Sequence, residues 1–205
     1  MNSDLQNRII DKAVTLFCRN GIKSVTMDQI ASEVGISKRT LYENFKDKDE
    51  LFLAVAGAIN KEHDAQVLEE IAKSKNTLEV MLRIYRRSFK KMQYINRNYF
   101  LDMKRYYPQV FTLSEREAEK RREQCTVFIE RGKEEGMIRK ELKNDVVSSL
   151  ISSQIDYLLN SEDIASGKFT FIDVYETVFT NFIRGIATQQ GVKFIDDFMS
   201  AAGDE

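Results

Sequence analysis

The sequence predicts an all-α protein, and three observations carry that expectation. One proline and nine glycines in 205 residues leave few helix breakers. Long stretches rich in Glu, Lys, Arg, Leu and Ile lack the β-branched alternation that strands require. Apolar residues also recur three and four positions apart in one segment after another, and the count of such segments suggests about nine helices. With 42% hydrophobic and 31% charged residues, the chain has the composition of a folded globular protein rather than a disordered one. Its length allows one large domain or two modest ones, and the expected division is a helix-turn-helix unit over 1–50 and a helical bundle over 51–205.

Ser3 or Asp4 can cap a first helix whose Leu5, Ile9, Ala13, Leu16 and Phe17 form one apolar stripe, with Gly21 as its stop. Thr26 followed by Gln29 has capping-box spacing, so a second helix starts at Thr26 and commits Ile30, Ala31 and Val34 to a core before Gly35 ends it. Ser37 is the next N-cap candidate and opens SKRTLYENF, in which Leu41 and Phe45 lie four apart on the buried face. Lys38, Arg39, Thr40, Tyr42 and Asn44 are left outward. A helix, a turn containing Gly, and a helix whose first turn carries Lys, Arg and Thr is the helix-turn-helix pattern, whose second helix enters the major groove of double-stranded DNA.

Net charge is −1, which at first sight speaks against a polyanionic partner. Whole-chain charge is the wrong measure. Between Ile36 and Lys48 the basic residues Lys38, Arg39, Lys46 and Lys48 outnumber the acidic Glu43 and Asp47, so positive charge is concentrated where the pattern needs it.

The stretches LFCRNG (16–21) and VTMDQIASEVGISKRTLYENFKDKDEL (25–51) resemble the amino-terminal domain of the TetR (tetracycline repressor) family, over roughly the first quarter of the chain. The resemblance implies a ligand-responsive repressor that binds a palindromic operator as a dimer. Carried over residue by residue, it implies that Lys38 and Arg39 approach base edges or phosphates and that Thr26, Tyr42 and Lys48 clamp the backbone. Ser37, Thr40 and Asn44 complete the implied DNA face. Asn44 stands where family members often have His, and Asn also bonds to phosphate or adenine.

Asp47 and Glu50 repeat the capping-box spacing, and the helix they open runs unbroken to about Ala72 past the lone His63, which is expected on a solvated face. From Thr77, Leu78, Met81, Leu82, Tyr85, Phe89 and Met92 mark one helix face, followed by Tyr94, Tyr99, Phe100, Met103, Tyr106 and Tyr107 ahead of Pro108. The residues alone favour a packed core here; the alternative is a cavity for a small apolar or aromatic effector, lined by Met81, Tyr85, Phe89, Met92, Tyr99, Met103, Tyr106 and Tyr107, with Cys125, Phe128 and Tyr157. The resemblance raises the cavity reading, because that family's carboxy-terminal domains commonly bind small effectors.

The helix from Ser114 to Glu135 begins almost wholly charged, with the mixed signs of Arg116 to Glu123 expected on an exposed face, and turns apolar at Cys125, Phe128 and Ile129. GMIRKELKND then reads as a loop, with Asn144 or Asp145 capping the next helix. Two further helices, Asp145 to Leu159 and Phe171 to Ala187, flank a turn-like SEDIASGK. Both are apolar over more than one stripe, which calls for burial on two sides. A second copy of the chain is the natural cover, through Leu150, Ile151, Ile155 and Leu158 of one and Tyr175, Val178, Phe179, Phe182, Ile183 and Ile186 of the other, making a four-helix interface about a two-fold axis. The closing VKFIDDFMSAAGDE reads as a short amphipathic helix.

No phosphate loop, metal-ligand cluster or nucleophile elbow marks a catalytic site, so no cofactor and no enzymatic activity are expected; a helical enzyme is the remote alternative. Cys18 and Cys125 read as packed thiols, with redox sensing by Cys125 as the other possibility. No apolar run is long enough to span a bilayer and MNSDLQNRII lacks the features of a signal peptide, so a cytoplasmic protein without membrane contact is expected. The runner-up for function is a DNA-bound regulator or chromosome organiser controlled by a protein partner.

Overall fold

A computed structural model describes residues 3–111 and 115–201. Among these the chain forms eleven α-helices and a 3-10 turn at Pro108–Phe111. Two more helices are present than the periodicity suggests. One is the five-residue α9, Glu162–Ser166, inside the stretch expected to be a turn, where Ser161 caps and Gly167 adopts left-handed φ to stop it. Its shortness hides any periodicity.

The chain divides into two compact units: residues 1–65 with 94–112, and residues 66–93 with 113–205. The expected boundary at residue 50 falls inside α4, Lys48–Lys73, which continues without a break. In the first unit, α1 (Ser3–Asn20), α2 (Met27–Val34) and α3 (Lys38–Asn44) enclose Ile9, Ala13, Phe17, Ile30, Leu41 and Phe45 with Leu51, Phe52 and Val55 of α4. Each fully buried Ile, Leu or Phe contributes about 1.5–3 kcal/mol by leaving water. The helix α6, Arg97–Tyr106, belongs to this same core: Tyr99 and Tyr107 pack around the Phe52 ring, at 6.3 and 4.3 Å between centroids. Hydrogen bonds fasten it to the end of α1 and the loop that follows, where Asn96 N donates to Cys18 O at 2.7 Å and Lys23 N donates to Asp102 Oδ2 at 2.7 Å.

The second unit is built from α5 (Thr77–Met92), α7 (Glu115–Glu134), α8 (Asn144–Asn160), α10 (Phe171–Ile186) and α11 (Gln189–Ser200). Its core joins Leu78, Leu82, Ile129, Ile138, Val147 and Ile183. Asn76 caps α5 by accepting from Glu79 N, while Glu79 accepts from Lys75 N at 2.8 Å, a reciprocal cap present in the sequence as Asn-x-x-Glu. Burial alone would disfavour the Glu79 carboxylate. The Lys75 N–H and the Arg83 guanidinium at 2.6 Å outweigh it and hold the acid below its ordinary range. The start of α8 differs from expectation: Lys143 occupies the cap position without a side-chain bond, and the Asn144 amide donates instead to Glu130. Ser114 and the side chains through Arg121 lie outside the described residues, so only the exposed Arg122 and Glu123 of the charged run are seen.

Candidate nucleic-acid interface

The turn between α2 and α3 is built from short-range bonds. Thr26 Oγ1 accepts from Gln29 N at 3.1 Å to start α2. Gly35, at φ 77°, ends it, with the N–H groups of Gly35 and Ile36 both donating to Ala31 O at 3.0 Å. Ser37 Oγ accepts from Thr40 N at 3.0 Å and shares a 2.8 Å bond with the Thr40 hydroxyl. Leu41 and Phe45 then anchor α3 inward, at 0% and 5% exposure, which leaves Lys38, Arg39 and Tyr42 outside. Of the outward set that the helical period predicts, Lys38, Arg39 and Tyr42 are exposed, and Thr40 and Asn44 are half-buried.

The polar groups of this face are already engaged. Lys38 Nζ lies 2.8 Å from Asp28 Oδ1, and this bond and its charge raise the affinity of the ammonium for its proton. Arg39 Nε donates to Glu43 Oε1 at 2.9 Å. Asn44 Nδ2 donates to Thr40 O at 2.8 Å, and Thr26 and Ser37 serve as caps. Lys48, expected to grip the DNA backbone, donates its ammonium to three carbonyls of its own chain, Ile22 O at 3.2 Å, Lys23 O at 3.3 Å and Val25 O at 3.1 Å. It braces the loop from which α2 starts. Lys48→Met, which keeps the stem and removes the charge, is expected to cost about 2 kcal/mol, the scale of hydrogen bonds to a charged donor, and to speed amide exchange across 22–26. Urea unfolding and hydrogen exchange measure it; unchanged stability with a salt slope for DNA binding reduced by about 1 would instead assign Lys48 to a phosphate.

The residues expected to line an effector cavity fall into separate groups. Tyr99, Met103 and Tyr107 are buried in the first unit, Tyr106 is exposed there, and Lys23 Nζ stands over the Tyr106 ring at 5.5 Å. The Tyr107 hydroxyl donates to Asp49 Oδ1 at 2.6 Å, and Tyr107, Tyr106, Lys48 and Asp49 border an open cleft of about 250 Å³. In the second unit Met81, Tyr85, Phe89 and Met92 lie on α5 with Cys125 and Phe128 on α7, all buried or partly buried, whereas Tyr157 on α8 is 50% exposed. Tyr85 instead meets α10: its ring stacks on Phe179 at 4.0 Å and lies 5.5 Å from Tyr175. Tyr175 and Phe179 are expected at a subunit interface from the sequence; their spacing of four marks one face but not which helix covers it.

The same holds for other expected interface residues. Leu158, Ile183 and Ile186 are buried within the chain itself, at 6%, 1% and 5% exposure, so they have no surface to offer a second copy. Ile151, Val178 and Phe182 are half-buried, Leu150 is exposed, and the Ile155 side chain lies outside the described residues. Val146 and Tyr157, one turn before and two turns after Leu150 on α8, extend its exposed stripe.

An all-helical chain in which a capped helix-turn-helix leads into a helical bundle has the architecture of a helix-turn-helix regulator. Residues 9–55 match the family described as bacterial regulatory proteins, tetR family. That match is confined to the amino-terminal helix-turn-helix segment of the chain. IcaR of Staphylococcus epidermidis, an HTH-type negative transcriptional regulator of the biofilm operon icaADBC, is 38% identical over 48 residues, 23% of this chain. The match spans about a quarter of that relative's length, 26%. Two solved structures share the fold at 19% identity: a transcriptional regulator from Saccharomonospora viridis in complex with choline, at TM-score 0.67 over 92% of this chain and 100% of that one, and the ketosteroid transcriptional regulator KstR2 of Mycobacterium tuberculosis, at TM-score 0.59 over 92% and 97%. No helix among the described residues is long and apolar enough to cross a membrane.

Proposed function

We propose that this chain is a cytoplasmic transcriptional repressor that binds an operator as a homodimer and releases it when a small apolar or aromatic effector binds. The observation that carries the reading is the α3 face: Lys38, Arg39 and Tyr42 stand in solvent on a seven-residue helix whose entry is set by Ser37 and whose back is buried through Leu41. IcaR, a negative regulator by description, supports repression. A single helix of this length makes few base contacts, so affinity depends on two copies reading half-sites roughly 34 Å apart. The exposed stripe Val146, Leu150 and Tyr157 on α8 is the apolar surface that supports pairing.

The effector is proposed to enter beside the aromatic wall of Tyr85, Phe89, Tyr175 and Phe179, and the solved relative in complex with choline supports a small-molecule signal. Release follows if the effector binds better to dimers whose α3 helices are wrongly spaced for the grooves; a ligand indifferent to spacing would release nothing. One observation favours control by a protein partner instead. The faces of Tyr85 and Phe179 cover each other at 4.0 Å, so an effector entering there must first displace a ring.

Selection from a random duplex library with the full chain tests the reading. It should return inverted repeats, and Arg39→Ala with Tyr42→Ala should weaken binding to the selected duplex about 100-fold, taking about 1–3 kcal/mol per lost contact. Stability should be unchanged, since both side chains are exposed. Enrichment of no duplex, or undiminished binding by the double variant, would overturn it.

A further inference from the structure

The helix α4 is packed at its start, tied at its far end and bare between. Its buried residues are Leu51, Phe52, Val55 and Ala56, all before Gly57. Ala58 and Ile59 are half-buried, and residues 60–65 are exposed one after another, over more than a full turn, so the helix there meets water all round. Arg87 of α5 holds the far end through Glu69 and Glu70, each at 3.5 Å.

Gly57 opens the bare stretch. A Cβ there would meet nothing within 4 Å among the described residues, and its φ is not in the left-handed region. Neither a close neighbour nor the backbone therefore calls for glycine. What remains is its effect on the helix, which an interior glycine weakens relative to alanine. Asn60, His63 and Asp64 add residues of low helix propensity.

We propose that residues 57–65 are a compliant segment of α4 and that this segment sets how strictly the dimer reads the spacing of its two half-sites. The inference rests on the homodimeric DNA-binding reading above.

Backbone hydrogen bonds in so short a stretch are marginal in water without packing, so local opening here costs far less than unfolding the packed start of the helix. One base pair more or less between half-sites shifts them by about 3.4 Å and turns them by roughly 35°. A stiff dimer offered such a duplex loses one half-site. A dimer whose α4 helices bend or open at 57–65 follows it at the cost of that opening, so spacing specificity relaxes to the degree that the segment yields. Reading within a half-site is unaffected, because Leu41 and Phe45 anchor α3 in a core to which α4 contributes only residues before Gly57.

The test uses the full chain and duplexes built on the inverted repeat that the wild type selects, at the selected spacing and with one base pair added or removed. Gly57→Ala stiffens the segment, Lys61→Gly loosens it at an exposed position, and Thr15→Ala strengthens α1 instead, also at an exposed position. Hydrogen exchange without DNA should show weak protection over 58–64 in the wild type, raised about fivefold by Gly57→Ala, the equivalent of the propensity difference between the two residues. All four proteins should bind the selected spacing within about twofold of one another, as expected for exposed substitutions. On the altered spacings Gly57→Ala should bind about threefold to fivefold more weakly than the wild type, Lys61→Gly more tightly by about as much, and Thr15→Ala equally. Protection over 58–64 equal to that at 51–56, an unchanged spacing profile in Gly57→Ala, equal weakening at every spacing, or the same change from Thr15→Ala would overturn the proposal while leaving DNA binding intact. A wild type that selects no duplex would overturn the DNA-binding reading, and this inference with it.

Discussion

Phe52→Ala is expected to cost the first unit about 3–5 kcal/mol, the range for truncating an aromatic side chain in a core. The reason is its position. Phe52 is 0% exposed and touches rings from three directions: Phe17 of α1 at 5.8 Å, Tyr99 of α6 at 6.3 Å and Tyr107 at 4.3 Å between centroids. A cavity there borders α1, α4 and α6 at once and removes the ring against which Tyr107, bonded to Asp49, is packed. Total stabilities of about 5–15 kcal/mol make such a loss a large fraction of what holds the unit together. The urea transition of the first unit should move accordingly, with loss of protection at Leu41 and Phe45. A shift equivalent to less than about 1 kcal/mol would show that the three-way contact is not the centre of this core. Phe52→Leu, which keeps most of the volume, should cost markedly less.

The position of Phe52 also shows what is legible in the sequence and what is not. Thr26, Gly35, Ser37 and the Asp47–Glu50 box can be read correctly because each acts on backbone groups within four residues, a distance over which spacing determines geometry. The α3 face follows from the same local logic. Composition groups Tyr99 and Tyr107 with the tyrosine of α5, yet their partner is Phe52, about fifty residues earlier. Periodicity tells that a face is apolar without telling what covers it. Ile183 and Ile186 illustrate this from the other side, since these two residues of α10 are buried within the chain, in a core to which α5, α8 and α11 contribute. The role of Lys48 is hidden for a third reason: its acceptors are main-chain carbonyls at 22, 23 and 25, and carbonyls carry no sequence signal.

Local charge and local order together limit what the proposed DNA face can do by itself. Its helix has seven residues, its cations are shared with acids, and its caps are neutral. Binding energy drawn from so small a surface should depend strongly on salt and on the pairing of two copies, with unrelated DNA held only weakly.

Alkaline unfolding is the second large effect, and its sign follows from four buried or half-buried tyrosines. Burial raises Tyr85 to about 12, aided by the nearby Glu176 carboxylate and opposed by a bond with Thr180. Burial also raises Tyr99 and Tyr107, the latter with the Asp49 carboxylate beside its hydroxyl, and Tyr175, where a bond to Ser88 offsets part of the shift. In the unfolded chain a tyrosine ionises near 10, so above that pH the unfolded state releases protons that the folded state retains. The stability these groups contribute is complete below pH about 10 and is lost as pH rises from there through the raised folded values. For Tyr85 alone the loss between pH 10 and 12 is on the order of 2–3 kcal/mol, and Tyr99 and Tyr107 add to it in the first unit as Tyr175 does in the second. Helical signal should therefore collapse within about two units above pH 10, and part of the tyrosinate absorbance should appear only as the helices melt. Tyr107→Phe removes the ionisable group and keeps the ring against Phe52, so it should shift the alkaline midpoint of the first unit upward, while its neutral-pH stability falls by about 1 kcal/mol for the lost bond to Asp49. Complete tyrosinate formation near pH 10 over intact helices would mean that these hydroxyls are in contact with water.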